Sequence, residues 1–311
     1  VSDAPLYGDV AEGPGEGRAV WLTAADGVRI RAAVWNAAGA RGTVILLPGR
    51  TEYIEKYGRT AARLAAAGYA TLSVDWRGQG LADRPLRDAS VGHVGDFAEY
   101  QADMTALLAF AASAGLPQPW YLMAHSMGGC IGLRSLMRGI PVRAAVFSSP
   151  MWGIVLPKGA GPLVRVATTA ARWVGLDHLR MPTTPKRTLV IDAPFAGNDL
   201  TTDAGMWDYM RAQAMAHPDL TLGGPSLGWM RAALRECAAL AGLPSPPYPM
   251  LCGLGRLERI VEVRPIQDRV ARWPGARLDL YDGAEHEVLM ERPALRDAFV
   301  TRAVALFEAN R

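Results

Sequence analysis

The stretch MAHSMGG, residues 123–129, limits what this chain can fold into more than any other. The apolar run over 120–124 reads as a short buried strand, and the apolar spacing over 130–137 reads as a helix. A serine between strand and helix, followed by small residues, is the sequence form of a nucleophile elbow. Strained backbone there lifts the hydroxyl out of the turn, and bulky neighbours would collide. The pattern is G-x-S-x-G; Ala124-His125-Ser126-Met127-Gly128 meets it with alanine in the first place. A serine capping an ordinary helix gives a similar stretch, so the surroundings must decide.

Those surroundings alternate. A hairpin is expected from 19–23 and 28–35 around Ala25-Asp26-Gly27. The apolar run 43–47, ended by Pro48-Gly49, reads as a strand buried on both faces. A helix over 53–67 closes at Gly68, followed by a strand over 69–75, a helix over 97–112 and a strand over 144–148. The rhythm resumes with strand 250–253, helix 264–273, strand 277–281 and helix 294–308. This order predicts an α/β chain with a mostly parallel, doubly wound sheet. Reactive groups gather at the carboxyl ends of such strands, where Gly49-Arg50, Ser126 and Pro150 all fall.

With 311 residues, one large domain carrying an insertion is expected. Residues 1–17 read as an extended arm, 18–150 and 248–311 as the core, and 151–247 as the inserted part. The insertion is rich in tryptophan and proline, with helices clearest over 206–215 and 227–240. It serves either as a cap over the site or as extra helices on the sheet. A dispersed net charge of +3 argues against a nucleic-acid partner. Cys130, Cys237 and Cys252 show no metal-ligand spacing and sit in apolar surroundings, as buried thiols in a reducing cytoplasm would. The acidic, glycine- and proline-rich start is unlike a signal peptide. The most apolar region, 153–176, is broken by Lys158, Arg165 and Arg172. A cytoplasmic protein is expected. The glycines of 13–17 follow no strand, and Gly253-Leu254-Gly255 lacks the third glycine of a dinucleotide fingerprint, so neither cofactor nor metal is expected.

A serine hydroxyl needs a base oriented by a third group. Of the five histidines, His286 lies in the loop directly after the last core strand, late in the chain and at the reactive sheet edge. Serine, acid, histidine is the chain order of the α/β-hydrolase arrangement. The strand end Ser148-Ser149-Pro150 supplies no carboxylate, whereas the turn after 250–253 contains Glu258. A surface Glu258 paired with Arg256 or Arg259 is the plain alternative, with Asp279 and Asp282 as weaker rivals for the acid. Two backbone donors must face the carbonyl oxygen. Met127, after the nucleophile, and Arg50, beyond Pro48-Gly49, occupy the required places. His125 is expected to pack away from the serine.

PGRTEYIEKYGR (48–59), VDWRGQGLADR (74–84), MAHSMGG and DGAEHEVLMERPALRDAFV (282–300) together resemble the bacterial lysophospholipase L2 and monoacylglycerol lipase group of α/β hydrolases. NDLTTD (198–203) and HPDLTLGGPSLGWM (217–230) extend the resemblance into the insertion. It implies an α/β-hydrolase fold with a helical cap, Ser126 as nucleophile, His286 as base, Glu258 as acid, and Arg50 and Met127 as oxyanion donors. The chain departs from the group at Pro48, where many relatives have histidine, at Ala124 for glycine, and at Glu258 for the commoner aspartate. The implied activity is cofactor-free hydrolysis of a carboxylic ester, with the insertion forming an acyl channel for monoacyl lipids and touching lipid surfaces transiently. Hydrolysis or acyl transfer on other esters, thioesters or amides, and a silent ligand-binding module, are the alternatives.

Overall fold

The computed structural model describes residues 1–15 and 17–311. Nine strands form one sheet: β1 (Ser2–Ala4), β2 (Arg18–Thr23), β3 (Arg29–Trp35), β4 (Thr43–Leu47), β5 (Ala70–Asp75), β6 (Trp120–His125), β7 (Ala145–Ser148), β8 (Met250–Gly255) and β9 (Arg277–Tyr281). Their spatial order is β1-β2-β3-β5-β4-β6-β7-β8-β9. The first three strands and the β3–β5 pair are antiparallel; every pair from β5 to β9 is parallel.

The continuous apolar run of β4 is explained by its two covered faces. Val44 and Leu46 point into one core cluster, Ile45 and Leu47 into the other. Alternation of successive side chains across a strand requires this split, and a polar residue at any of the four would face hydrocarbon. Helices Gly58–Ala66, Ala98–Ser113, Ser126–Met137, Val263–Ala271 and Pro293–Glu308 cover the sheet.

The helix expected over 53–67 divides in two. Ile54–Tyr57 is a tighter 3₁₀ turn, and the α-helix proper begins at Gly58. The turn is tied to the sheet by Arg31, whose guanidinium sits between Glu55 and Asp75 at 2.7 Å from each. Gly58 is where this turn meets the amino-terminal segment, since a Cβ there would lie 1.8 Å from the Ala11 carbonyl oxygen.

Between β7 and β8 run helices Gly161–Trp173, Leu189–Asp192, Ala204–Ala216 and Leu227–Gly242. They belong to the core as well as to the space above it. Trp229, Ala233, Leu234 and Leu240 join one core cluster, while Met206, Trp207 and Met210 join the other. The amino-terminal segment, expected as an extended arm, contributes edge strand β1 and the short helix Gly8–Ala11. It also fastens the insertion: Tyr209 Oη donates to the Ala11 carbonyl at 2.6 Å, Gln213 Nε2 to the Val10 carbonyl at 2.9 Å, and Tyr7 stacks on His217 at 3.7 Å.

Candidate active site

Four strand ends bring the predicted residues to one place. Ser126 follows β6 at the start of its helix, with φ of +49°. This left-handed backbone is costly for a residue with a Cβ and persists because its neighbours leave no alternative. A Cβ on Gly128 would stand 2.2 Å from the Leu47 carbonyl oxygen, and one on Gly129 would stand 2.6 Å from Pro150 Cβ.

His286 Nε2 lies 2.9 Å from Ser126 Oγ, and Nδ1 lies 2.7 Å from Glu258 Oε2. An ionised carboxylate only accepts hydrogen bonds, so Nδ1 carries the ring proton and Nε2 is left to accept from the serine hydroxyl. Glu258 Oε1 accepts from the amides of Ile260 at 2.7 Å and Val261 at 3.0 Å. Burial alone would raise its pKa. The hydrogen bond and charge of His286, with those two amides, outweigh burial and hold it down at about 2. The other carboxylates point elsewhere. Asp282 is 86% exposed and pairs with Arg256; Asp279 meets Arg277 and Arg302. Arg259, the remaining candidate partner for Glu258, goes to Asp199 and Glu285.

The loop after β4 is pinned through its carbonyls. Trp76 Nε1 donates to the Pro48 carbonyl at 2.9 Å, and Gln79 Nε2 to those of Gly49 at 2.8 Å and Glu52 at 2.9 Å. The Gly49 amide donates to Glu52 Oε2. The Arg50 amide has no acceptor among the described residues, and Met127 belongs to the first helical turn, whose N–H groups lack intrahelical partners. Both predicted oxyanion donors are therefore unspent. The His286 loop is clamped by the insertion: the Glu287 amide donates to the Leu200 carbonyl at 2.9 Å, and Thr201 Oγ1 to that of Met290 at 2.7 Å.

A buried charge cluster, marked by no motif in the sequence, lines the same cavity as Ser126 and His286. Lys56 Nζ stands 2.8 Å from Glu52 and 2.7 Å from Glu287, and Tyr57 Oη donates to Glu52 at 2.6 Å. Glu52, His125 and Glu287 bring ligand-type atoms within 4.8 Å of one another, an arrangement able to hold a cation. The Lys56 ammonium already sits between the two carboxylates and offsets one of their charges, so a cation of the protein's own occupies this donor set. His125 does not turn away as expected. Its ring lies 4.8 Å from that of His286, while Nδ1 approaches the Ser148 carbonyl at 3.0 Å. Burial lowers its pKa to about 3, so it stays neutral and adds no positive charge beside His286.

Ser126 and His286 open into a cavity of about 410 Å³. Met151, Ile154, Leu189, Val190, Leu200 and Met210 give it a predominantly apolar wall. Of the insertion's tryptophans Trp229 lines it; Trp152 and Trp207 are core, and Trp173 faces solvent at 85% exposure. Trp76 and Gln79 could have been sought from the loop they support, because its carbonyls need donors once its amides face a substrate.

Comparison with known proteins places the family and the fold. The family model described as serine aminopeptidase, S33 matches residues 38–293. Lysophospholipase L2 of Escherichia coli strain K12 is 32% identical over 305 residues, covering 93% of this chain and 87% of that protein. A soluble variant of monoglyceride lipase from Saccharomyces cerevisiae, solved with a substrate analogue, superposes with a TM-score of 0.71 at 20% identity, covering 93% of this chain and 95% of that one. Monoacylglycerol lipase of Paleococcus ferrophilus gives 0.70 at 18% identity, covering 90% and 98%.

Proposed function

This chain belongs to the serine aminopeptidase, S33 family of α/β hydrolases, and on that premise we propose that it cleaves carboxylic esters of monoacyl lipids, lysophospholipids or monoacylglycerols, through an acyl-enzyme on Ser126. One observation carries the reading: the Ser126–His286–Glu258 hydrogen-bond chain, at 2.9 and 2.7 Å, opens into an apolar cavity. Ser126 Oγ attacks the ester carbonyl as His286 Nε2 takes its proton, and Glu258 stabilises the imidazolium. The oxyanion forms against the Arg50 and Met127 amides. His286 then protonates the departing alcohol, and water, activated by the same imidazole, releases the fatty acid.

The family description names an amide-cleaving activity, which the same triad can perform. The apolar wall and the lysophospholipase relative favour an acyl chain. Residues 151–247 act as the cap. Their outer surface supports transient contact with lipid: Leu163, Val166, Trp173 and Val174 are exposed beside Lys158, Arg165 and Arg172, and no acidic residue occurs from 151 to 176. No helix among the described residues is long and apolar enough to cross a membrane. The three free, buried cysteines suit a reducing cytoplasm.

Fluorophosphonate labelling tests the nucleophile: wild type should label and Ser126→Ala should not. Profiling both proteins on monoacylglycerols, lysophospholipids and peptide amides should give turnover of the lipids by wild type alone. Preferential cleavage of the amides would reject the lipid assignment.

A further inference from the structure

The reaction above uses Arg50 only through its amide, leaving the side chain without a role. Its guanidinium leaves the oxyanion loop and meets the insertion. Nη1 donates to the Gly223 carbonyl at 3.0 Å, and the guanidinium carbon lies 5.4 Å from the centroid of the Trp229 ring. Its remaining N–H groups have no acceptor, and no carboxylate stands within ion-pair distance, among the described residues. The other cations lining this cavity are neutralised. Lys56 lies between Glu52 and Glu287, and Arg187 pairs with Asp192 at 2.5 Å. Burial lowers the Arg50 pKa to about 10, which leaves it charged at neutral pH. The half-buried guanidinium faces the cavity without a counter-ion, and a ligand that brings an anion there completes its pairing.

We propose that the Arg50 guanidinium is the headgroup site of this cavity and binds the phosphate of a lysophospholipid whose ester carbonyl lies against the Arg50 and Met127 amides. The inference rests on the monoacyl-lipid reading and deepens it. One residue then holds both ends of the substrate's polar part, since glycerol carries the acyl ester and the phosphate at opposite ends. The planar fork matches two phosphate oxygens, and the surrounding Leu222, Pro225 and Trp229 offer no competing charge. A monoacylglycerol presents only a hydroxyl there and leaves the guanidinium unpaired. Such sites discriminate strongly against the analogue lacking the group.

The test compares palmitoyl lysophosphatidylcholine with 1-palmitoylglycerol on wild type, Arg50→Met and Arg50→Lys. The ratio of kcat/KM for the two substrates cancels any common disturbance of the oxyanion loop. Arg50→Met should lower that ratio about ten- to hundredfold, chiefly through KM, as expected for losing a charge-assisted contact. Arg50→Lys should recover part of it. Calorimetry on wild type, which needs no turnover, should show hexadecylphosphocholine binding at least about tenfold more tightly than 1-O-hexadecylglycerol. An unchanged ratio in Arg50→Met that still labels with fluorophosphonate overturns the proposal. Equal binding of the two ether lipids overturns it even if the variant does not fold. Palmitate binding as tightly as hexadecylphosphocholine would assign Arg50 to the product carboxylate instead. Wild type that cleaves neither lipid yet prefers hexadecylphosphocholine would reject the function while sustaining the site.

Discussion

The floor and the roof of the cavity are built on opposite principles. The floor consists of strand ends and the loop after β4, fixed by buried ions and by hydrogen bonds to carbonyls. The roof is the insertion, held mainly by apolar packing, with hydrogen bonds to the amino-terminal segment and the His286 loop and ion pairs at its margins, and with large apolar side chains left in solvent along 163–174. The difference follows from what each meets. Bond-breaking is sensitive to misplacement of about 1 Å, so the floor is over-determined. An acyl chain is recognised mainly by burial, which is non-directional, so the roof needs apolar area more than exact placement.

Removing the acid should have the largest effect. Glu258→Gln puts an amide beside His286 Nδ1 and favours the tautomer with Nε2 protonated, which cannot accept from Ser126. A loss of about 10³- to 10⁴-fold in kcat is expected, read by steady-state kinetics on a soluble ester. Near wild-type turnover would remove Glu258 from the floor. The same variant bears on acid stability. The folded pKa of Glu258 lies at about 2, below its ordinary 4.5. The stability contributed by its ionised form is complete above pH 4.5 and is lost as pH falls toward 2. Urea denaturation across that window should be flatter for Glu258→Gln than for wild type.

Lys56→Met asks whether the floor is held by charge. It leaves Glu52 and Glu287 facing each other without the ammonium, and a loss of about 3–5 kcal/mol is expected in urea unfolding. A loss under about 1 kcal/mol would mean the cluster is dispensable. Gln79→Ala withdraws the side-chain amide from the Gly49 and Glu52 carbonyls and should reduce kcat about tenfold with KM little changed. That loss is smaller than deleting an oxyanion donor outright, because the Arg50 amide remains. The smallest effect belongs to the roof. Leu163→Ser with Trp173→Ser should shift stability by no more than about 0.5 kcal/mol. Turnover of lipid in vesicles should fall a few-fold while a soluble short-chain ester is cleaved as by wild type. If soluble-ester turnover falls as far as in Gln79→Ala, floor and roof are one mechanical unit and the contrast fails.

The sequence was most informative where one physical requirement dominates. The run 43–47 could only be a strand covered on both faces, and Ser126 and His286 were marked by chain order and strand-end placement. Glu258 emerged by elimination, because its turn offers one carboxylate. The floor cluster was hidden. Glu52, Lys56 and Glu287 look like solvated charges in a helix and a loop, and their pairing joins residues 231 positions apart. Their one local signal is the aromatic setting, Tyr53 and Tyr57 around a glutamate and a lysine, which is unusual for an exposed helix face. His125 was misjudged for a related reason. Its ring lines the cavity, and only the three-dimensional approach of the β9 loop puts His286 beside it.

The amino-terminal segment carries a consequence for how the chain reaches this state. Its bonds to the insertion close loops of 198 and 203 positions, from Ala11 to Tyr209 and from Val10 to Gln213. Contacts so distant in sequence are entropically expensive to form before the intervening chain is ordered, and they slow folding. Val10 and Ala11 must therefore wait for about 200 further positions to be ordered before their partners are in place. Assembly of the roof is expected to be a late event in folding, completed by contacts between residues about 200 positions apart.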